Sequence, residues 1–189
     1  GTITYLTTQT DTLAIGTSTN VSASTALAVY NRDIEVLIGT GSPMYGVGSI
    51  VDDTNGATAL LDATDVEVVG DYAYVASFDG DGFQILDISD PTAPVGLGEI
   101  TDGTNGATEL DGAEKIAVSG NYAYVAAYDD DGVQIIDISD PTNPIGLGEI
   151  TDGASGATEL DGARDIVVQG NYAYVVGNLD GVPGTAISD

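Results

Sequence analysis

A segment of about 50 residues is repeated along this chain, and the repeat constrains the fold more than any other feature of the sequence. The octapeptides GDYAYVAS, GNYAYVAA and GNYAYVVG begin at residues 70, 120 and 170, so both intervals are 50 residues. Three longer segments keep the same offset: 45–60, 95–110 and 145–160. Periods of this length are typical of solenoids, propellers and other arrays, in which each unit buries its apolar surface against its neighbours.

Each unit is predicted to contain four β-strands. In the unit 115–164, a two-residue hairpin turn is expected at Gly120-Asn121 and an acidic turn at residues 129–132. The run from Asp140 to Pro144 ends the third strand, because its two prolines do not fit in a central ladder. The strands predicted between these turns are residues 116–119, 122–128, 133–139 and 145–150.

Both faces of the predicted sheet are largely apolar. In the second strand Tyr122 and Tyr124 point one way, while Ala123 and Val125 point the other. A sheet with one face in water would alternate apolar and polar residues. Two apolar faces predict a small sheet packed between neighbours, as in a propeller blade, and a two-sheet β-sandwich is the alternative.

Two motifs carry a family resemblance. ILDISDPTAPVGLG at 85–98 and IIDISDPTNPIGLG at 135–148 each follow a YAYVA strand. Together with their surroundings, over residues 65–150, they resemble the LVIVD repeat, which forms β-propeller blades in secreted and surface proteins of bacteria and archaea. The resemblance implies an all-β repeat protein, a small β-propeller of about four four-stranded antiparallel blades. It is a signature of a type of repeat, and it implies no particular activity.

The repeat divides the chain into five parts. A strand segment, a degenerate first repeat, two full repeats and a partial last repeat are predicted at residues 1–19, 20–64, 65–114, 115–164 and 165–189. In the degenerate repeat, residues 22–29 and 33–38 take the places of the second and third strands. One of the two spare β-prone segments, 1–8 or 12–17, is expected to complete the last blade. A strand supplied within the chain would close a ring, whereas a strand from a neighbouring copy would build a polymer.

The composition is strongly acidic. The chain has 30 Asp and Glu residues against 3 Lys and Arg, a formal net charge of -27, yet its 42% hydrophobic content suits a folded core. Nucleic acid and anionic membranes are excluded as partners, because both require a basic surface. The expected partners are other copies of the chain and cations, above all Ca²⁺, with surface proteins or glycans as further ones. High salt or calcium would relieve the repulsion, so an extracellular location is expected, with any secretion signal already removed.

Two acidic segments of each repeat are candidate calcium sites. The turn after the second strand holds clustered carboxylates followed by glycine, which suits a cation that takes about 6 to 8 oxygen ligands, and a polar hairpin turn is the alternative. The long loop before the first strand repeats oxygen-bearing side chains at fixed offsets, and a solvated loop is the alternative. The turn candidates are Asp79, Asp81, Asp129, Asp130 and Asp131, and the loop candidates are Asp102, Asn105, Glu109, Asp111, Asp152, Glu159 and Asp161.

Two other sets of side chains are interpreted as structural. Asp87 and Asp137 lie among Ile and Leu, so we expect them to be buried and to accept hydrogen bonds from amides of the Asp-Pro turn. The repeated tyrosine pairs, such as Tyr122 with Tyr124, are expected to pack between blades, and a carbohydrate-stacking surface is the alternative.

The sequence gives little support to catalysis. It contains no His and no Cys, so the usual triads, thiol nucleophiles and zinc ligand sets cannot form. The residues therefore favour a non-catalytic extracellular structural protein that assembles into a surface layer or filament by β-strand complementation. A monomeric, calcium-dependent adhesion or ligand-binding propeller is the alternative.

Overall fold

The fold is built from β-strands that follow the repeat. The computed structural model describes residues 25–30, 33–38 and 45–178. Within them every regular element is a strand, and no helix is long and apolar enough to cross a membrane. The strands are β1 Thr25–Tyr30, β2 Asp33–Ile38, β3 Tyr45–Val51, β4 Ala63–Val69, β5 Tyr72–Ser77, β6 Gly82–Asp87, β7 Val95–Thr101, β8 Ala113–Ser119, β9 Tyr122–Ala127, β10 Gly132–Asp137, β11 Ile145–Thr151, β12 Ala163–Gln169 and β13 Tyr172–Gly177.

The strands form antiparallel sheets in which each strand pairs with its neighbour in sequence. The sheets β4–β7 and β8–β11 have four strands, as predicted for one repeat. Within the described residues the first sheet, β1–β3, has three strands and the last sheet, β12–β13, has two. The expected strands of the degenerate repeat are confirmed as β1 and β2. The spare segments 1–8 and 12–17 lie outside the described residues.

The sheets stand beside one another through their first strands. β8 packs against β4 and β5, and β12 packs against β8 and β9. Four-stranded antiparallel sheets repeated about their first strands are the blades of a β-propeller, so the predicted fold class is confirmed and the alternative sandwich does not form. The described blades make an open arc.

Apolar side chains from both faces of each sheet form the core between blades. Tyr74 and Phe83 of the second sheet stack with ring centroids 6.1 Å apart and pack into one cluster with Ile136 of the third sheet. On the other side of the third sheet, Val133 packs with Val175 of β13. The predicted pair of apolar faces is confirmed. Packing of the tyrosines between blades is confirmed for Tyr74 and Tyr124, which lie in clusters shared by two sheets, whereas Tyr122, Tyr172 and Tyr174 are exposed.

A buried glutamine ties the third strand of each four-stranded sheet to the loop that enters that sheet. The Gln134 Oε1 accepts hydrogen bonds from the N–H groups of Thr108, at 2.8 Å, and Glu109, at 3.2 Å. Its Nε2 donates to the carbonyl oxygen of Gly148 at 2.8 Å. Both Gln84 and Gln134 are fully buried, and Gln84 makes the equivalent contacts with Thr58, Ala59 and Gly98. A buried amide with every group paired stabilises one arrangement of loop and sheet.

The first strands carry charged contacts that differ from one junction to the next. Lys115 on β8 pairs with Asp65 on β4, with 2.8 Å between Nζ and Oδ1. Arg164 on β12 lies 3.8 Å from a Glu114 carboxylate oxygen on β8, and its guanidinium lies 4.5 Å from the ring centroid of Tyr128. The chain therefore uses two of its three basic residues to connect neighbouring blades.

Candidate functional site

Three of the predicted acidic segments, two turns and one loop, meet at the junction between the second and third sheets. The Asp81 side chain, in a turn, hydrogen-bonds the side chain of Asp111, in the long loop. Asp130, in the next turn, accepts a hydrogen bond from the N–H of Asp111 at 2.7 Å. Asp102 and Glu109 are close enough to interact electrostatically with this group. The structure thus brings the turn and loop candidates into one acidic cluster, consisting of Asp81, Asp102, Glu109, Asp111 and Asp130.

Several candidate carboxylates accept hydrogen bonds from backbone amides. Asp131 Oδ1 accepts from the N–H of Gly162 at 2.8 Å, and Asp81 Oδ1 makes the same contact with Gly112 at 3.4 Å. Each of these contacts ties the turn of one sheet to the loop that enters the next sheet. Within the loops, Asp102 and Asp152 accept from Leu110 and Leu160 and so close each loop on itself.

The remaining candidates are spread out. Asp79 and Asp129 are exposed in their turns, Glu159 is half-buried, and the backbone carbonyl of Asp161 accepts from Asn178 at 2.8 Å. In the part of the chain that the structure describes, no group of three or more acidic side chains is arranged to hold a metal ion. A calcium site at these residues stays a prediction.

Burial and crowding raise the pKa values of three carboxyls in the cluster. Burial is the largest cause at Asp81, Glu109 and Asp130. Nearby negative charge adds to it, for example from Asp102 beside all three groups. The hydrogen bonds from Gly112 to Asp81 and from Asp111 to Asp130 act in the opposite direction. Burial likewise raises the pKa of Glu67, on β4.

The expectation for Asp87 and Asp137 is right about their partners and wrong about their burial. Asp87 Oδ1 accepts from the N–H of Ser89 at 2.8 Å, and Asp137 Oδ1 accepts from Ser139 at 2.9 Å, as expected for the Asp-Pro turn. Both residues are half-exposed, because β6 and β10 end there. Hydrogen bonds from the Ser89 side chain, and then from its amide, hold the pKa of Asp87 below its ordinary value.

The last sheet exposes a large apolar surface. We call Val167, Tyr172, Tyr174 and Val176 the terminal face, since all four are exposed on the last described sheet. Tyr174 is 37% exposed, whereas Tyr74, its equivalent two repeats earlier, is 5% exposed. The difference arises because the third sheet covers Tyr74. Among the described residues, no sheet covers the third tyrosine pair as the third sheet covers Tyr74.

A groove of about 920 Å³ lies beside β13, and we call it the β13 groove. One wall consists of Tyr122, Val133 and Ile135 of the third sheet, and the other consists of Ala173 and Val175 of β13. Among the described residues β13 pairs with β12 alone. Its second edge therefore has backbone N–H and C=O groups available for a further strand.

The repeat seen in the sheets is that of a known family. The LVIVD repeat matches residues 62–102, 112–152 and 162–180, which together make up more than half of the chain. The chain belongs to the LVIVD repeat family. Each LVIVD match begins one residue before the first strand of a sheet, at β4, β8 or β12, so the family unit coincides with the blade. No curated protein matches this LVIVD chain.

Solved structures share the fold of the LVIVD chain at low sequence identity. A candidate 6-phosphogluconolactonase from Bacteroides uniformis is 14% identical, with a TM-score of 0.59 over 87% of this chain and 52% of that one. Hydrazine synthase from Kuenenia stuttgartiensis is 16% identical, with a TM-score of 0.59 over 80% and 37%. A protein from Lactobacillus plantarum is 15% identical, with a TM-score of 0.57 over 83% and 50%. The LVIVD chain thus spans about half or less of these proteins, and the likeness shows the propeller fold alone.

Mild acidification is expected to stabilise the LVIVD chain. A carboxyl whose pKa is raised on folding binds its proton more tightly in the folded state, so stability rises as the pH falls through that raised value. This applies to Asp81, Glu109, Asp130 and Glu67. Asp87 and Asp137, with lowered pKa values, act in the opposite sense and lose their contribution as the pH falls through their folded values, below 3.8. Thermal unfolding at constant ionic strength should show greatest stability at about pH 4 to 5.

Asp81→Asn tests the cause of this pH dependence. Asparagine keeps an oxygen for the Gly112 N–H but buries no charge, so we expect the melting temperature at pH 7 to rise by a few degrees and its pH dependence to weaken. Asp79→Asn, at an exposed position of the same turn, removes the same formal charge and is the matched control. Equal effects of the two variants would assign the pH dependence to the net charge of -27 and not to the cluster.

Proposed function

We propose that this LVIVD chain is a non-catalytic structural protein of the cell exterior that assembles with further copies of itself by β-strand addition. The observation that carries the proposal is the combination of an exposed apolar terminal face with an edge of β13 that no other described strand pairs. An edge strand that displays unpaired backbone groups beside apolar side chains favours the addition of a strand from another chain.

The contacts inside the chain support this reading of the terminal face. The second sheet offers the same kind of surface, with Tyr72 and Tyr74, to the third sheet, where the two tyrosine rings lie 6.5 Å apart and Tyr74 is buried. A head-to-tail contact between copies would cover Tyr172 and Tyr174 in the same way. Because such a contact uses different surfaces on the two partners, it extends into a filament unless its rotation closes a ring.

Composition supports the location and the absence of catalysis. A composition of 30 acidic and 3 basic residues suits a calcium-bearing or saline exterior, where the charge is screened or neutralised. The absence of His and Cys removes the commonest general bases and nucleophiles. The enzyme names carried by structural neighbours belong to proteins no more than 16% identical to this chain, and they assign no reaction to it.

Solution mass as a function of concentration tests the proposal. The intact chain is compared with a variant in which residues 1–10 are replaced by a Gly-Ser sequence of equal length, which removes the spare strand and preserves the chain length. We expect the intact chain to form larger species as its concentration rises and the variant to stay monomeric, as measured by sedimentation velocity and electron microscopy. Identical assembly of the two proteins would overturn strand donation, and an intact chain that is monomeric at every concentration would overturn self-assembly.

A monomeric calcium-dependent adhesion propeller is the alternative function. The acidic cluster favours it, because carboxylates from two turns and one loop lie together at a junction between blades. Calcium would then raise the melting temperature more than NaCl of the same ionic strength, without changing the mass in solution. Equal effects of the two salts would leave general screening as the only role of the cations.

A further inference from the structure

The two four-stranded sheets show what the third strand of a repeat must provide. In each sheet the third strand places a glutamine oxygen between two consecutive amides of the entering loop, Thr58 and Ala59 in one and Thr108 and Glu109 in the other. We call this pair of amides the loop seat. An acceptor side chain is needed because a buried N–H without a partner costs about 1 to 3 kcal/mol.

The last repeat has the same loop seat, formed by the amides of Thr158 and Glu159. The loop around it keeps the geometry of the earlier loops, since Ala157 and Leu160 are buried and the Leu160 N–H donates to Asp152 at 2.9 Å. Among the described residues, no acceptor is found for the amides of Thr158 and Glu159. The loop seat of the last repeat is therefore formed, but none of the strands β1 to β13 places an acceptor side chain there.

The space beside the loop seat is large enough for one further strand. The β13 groove runs between the third sheet and β13, where the third strand of the last repeat would lie. Ile135 is only half-buried in the groove wall, whereas its equivalent, Ile85, is fully buried. A Cβ atom built on Gly148 would meet nothing of the described residues within 4 Å, although at Gly98 it would lie 2.5 Å from the Pro141 carbonyl oxygen.

The residues that follow β13 do not supply an acceptor. An offset of 50 residues places Gly184 at the position of Gln134, and a turn shorter by one residue places Pro183 there. Neither residue has a side chain that can accept a hydrogen bond. Pro183 also lacks the N–H that a central strand requires. A strand from elsewhere in sequence therefore fits the loop seat better than the continuation of β13 does.

Residues 3–6, outside the described part of the chain, reproduce the required pattern. Ile3-Thr4-Tyr5-Leu6 matches Val133-Gln134-Ile135-Ile136, with apolar residues at the same three positions and a hydroxyl acceptor at the glutamine position. We infer that residues 3–6 of a second copy add to β13, fill the β13 groove and place Thr4 at the loop seat. This inference rests on the self-assembly proposed above and specifies its register. Since Ile135 pairs with Tyr124, Tyr5 would pair with Tyr174.

Thr4→Gln tests the occupant of the loop seat by a gain of affinity. Glutamine reaches further than threonine and would bond both seat amides directly, so we expect self-association to tighten about tenfold in sedimentation velocity. Thr7→Gln is the matched control, because in the same register residue 7 points to the opposite face of the strand. Tighter self-association of Thr4→Gln, with no change for Thr7→Gln, supports the register. If both variants assemble with equal affinity, the register is wrong although self-assembly stands.

A disulfide test fixes both the register and the partner. The chain has no cysteine, so a mixture of two single-cysteine variants can form only the mixed disulfide and the two disulfides between like chains. We expect Tyr5→Cys and Tyr174→Cys chains to form a mixed disulfide on mild oxidation, since directly paired residues of antiparallel strands lie within disulfide reach. Tyr124→Cys replaces Tyr174→Cys in the control, because Tyr124 already faces β10. A bond that forms only inside a chain carrying both cysteines overturns the second copy as the donor, and assembly with no bond overturns the register.

Discussion

Gln134→Leu is expected to lower the free energy of unfolding by about 4 kcal/mol. Leucine fills much of the same volume but leaves the N–H groups of Thr108 and Glu109 without an acceptor and the Gly148 carbonyl without its donor. Each buried group left unpaired costs about 1 to 3 kcal/mol, so the sum exceeds what the added apolar surface returns. Urea unfolding followed by circular dichroism measures the change.

Gln169→Leu is the control for this substitution. Gln169 is the last residue of β12, and its side chain is exposed. The same chemical change there should alter the free energy of unfolding by no more than about 0.5 kcal/mol. A small effect at Gln134 as well would mean that water replaces the glutamine at the loop, and the buried amide would then not be the connection that holds loop and sheet together.

Gly98→Ala is expected to cost about 3 kcal/mol, whereas Gly148→Ala, at the same position of the next repeat, should be nearly neutral. A Cβ on Gly98 would lie 2.5 Å from the Pro141 carbonyl oxygen and 2.8 Å from Pro144 Cδ, in the Asp-Pro turn of the following sheet. Neither the backbone nor a proline ring can yield without moving the two sheets apart. At Gly148 nothing of the described residues lies within 4 Å.

The comparison isolates the contact between repeats, because both glycines lie in the fourth strand of a sheet with nearly the same neighbours in sequence. Thermal and urea unfolding of the two variants side by side is the measurement. Equal losses of stability would show that alanine is unfavourable in this strand for a local reason, and that the Asp-Pro turn is not packed against Gly98 as described.

Much of the fold could be predicted because the repeat and the alternation of side chains are local properties of the sequence. The period of 50 residues, the hairpin at Gly120-Asn121 and the two apolar faces of β9 are enough to define a blade. The burial of Asp87 and Asp137 was predicted wrongly, because a carboxylate flanked by leucine or isoleucine is the same in sequence whether its strand continues or ends there.

The roles of the acidic residues could not be predicted, since they depend on partners that are distant in sequence. Asp81 meets Gly112 and Asp131 meets Gly162, each 31 residues away and in the next repeat. No local pattern distinguishes such a carboxylate from a calcium ligand. Gln84 and Gln134 were missed altogether, although a single amide inside a strand of apolar residues was a usable signal, because a polar group in such a position must find partners.

The charged residues of the first strands bear on how a chain of near-identical repeats folds with its blades in the correct order. Segments of near-identical sequence can exchange places during folding, since each presents the same surfaces to its neighbours. Transposing the second and third repeats would preserve both buried glutamines and both Asp-Pro turns. It would, however, place Thr64 where Glu114 now faces Arg164, so that the ion pair joining β8 to β12 would be lost. The residues common to all repeats thus determine the structure of a blade, while the few charged residues that differ between first strands favour one order of the blades.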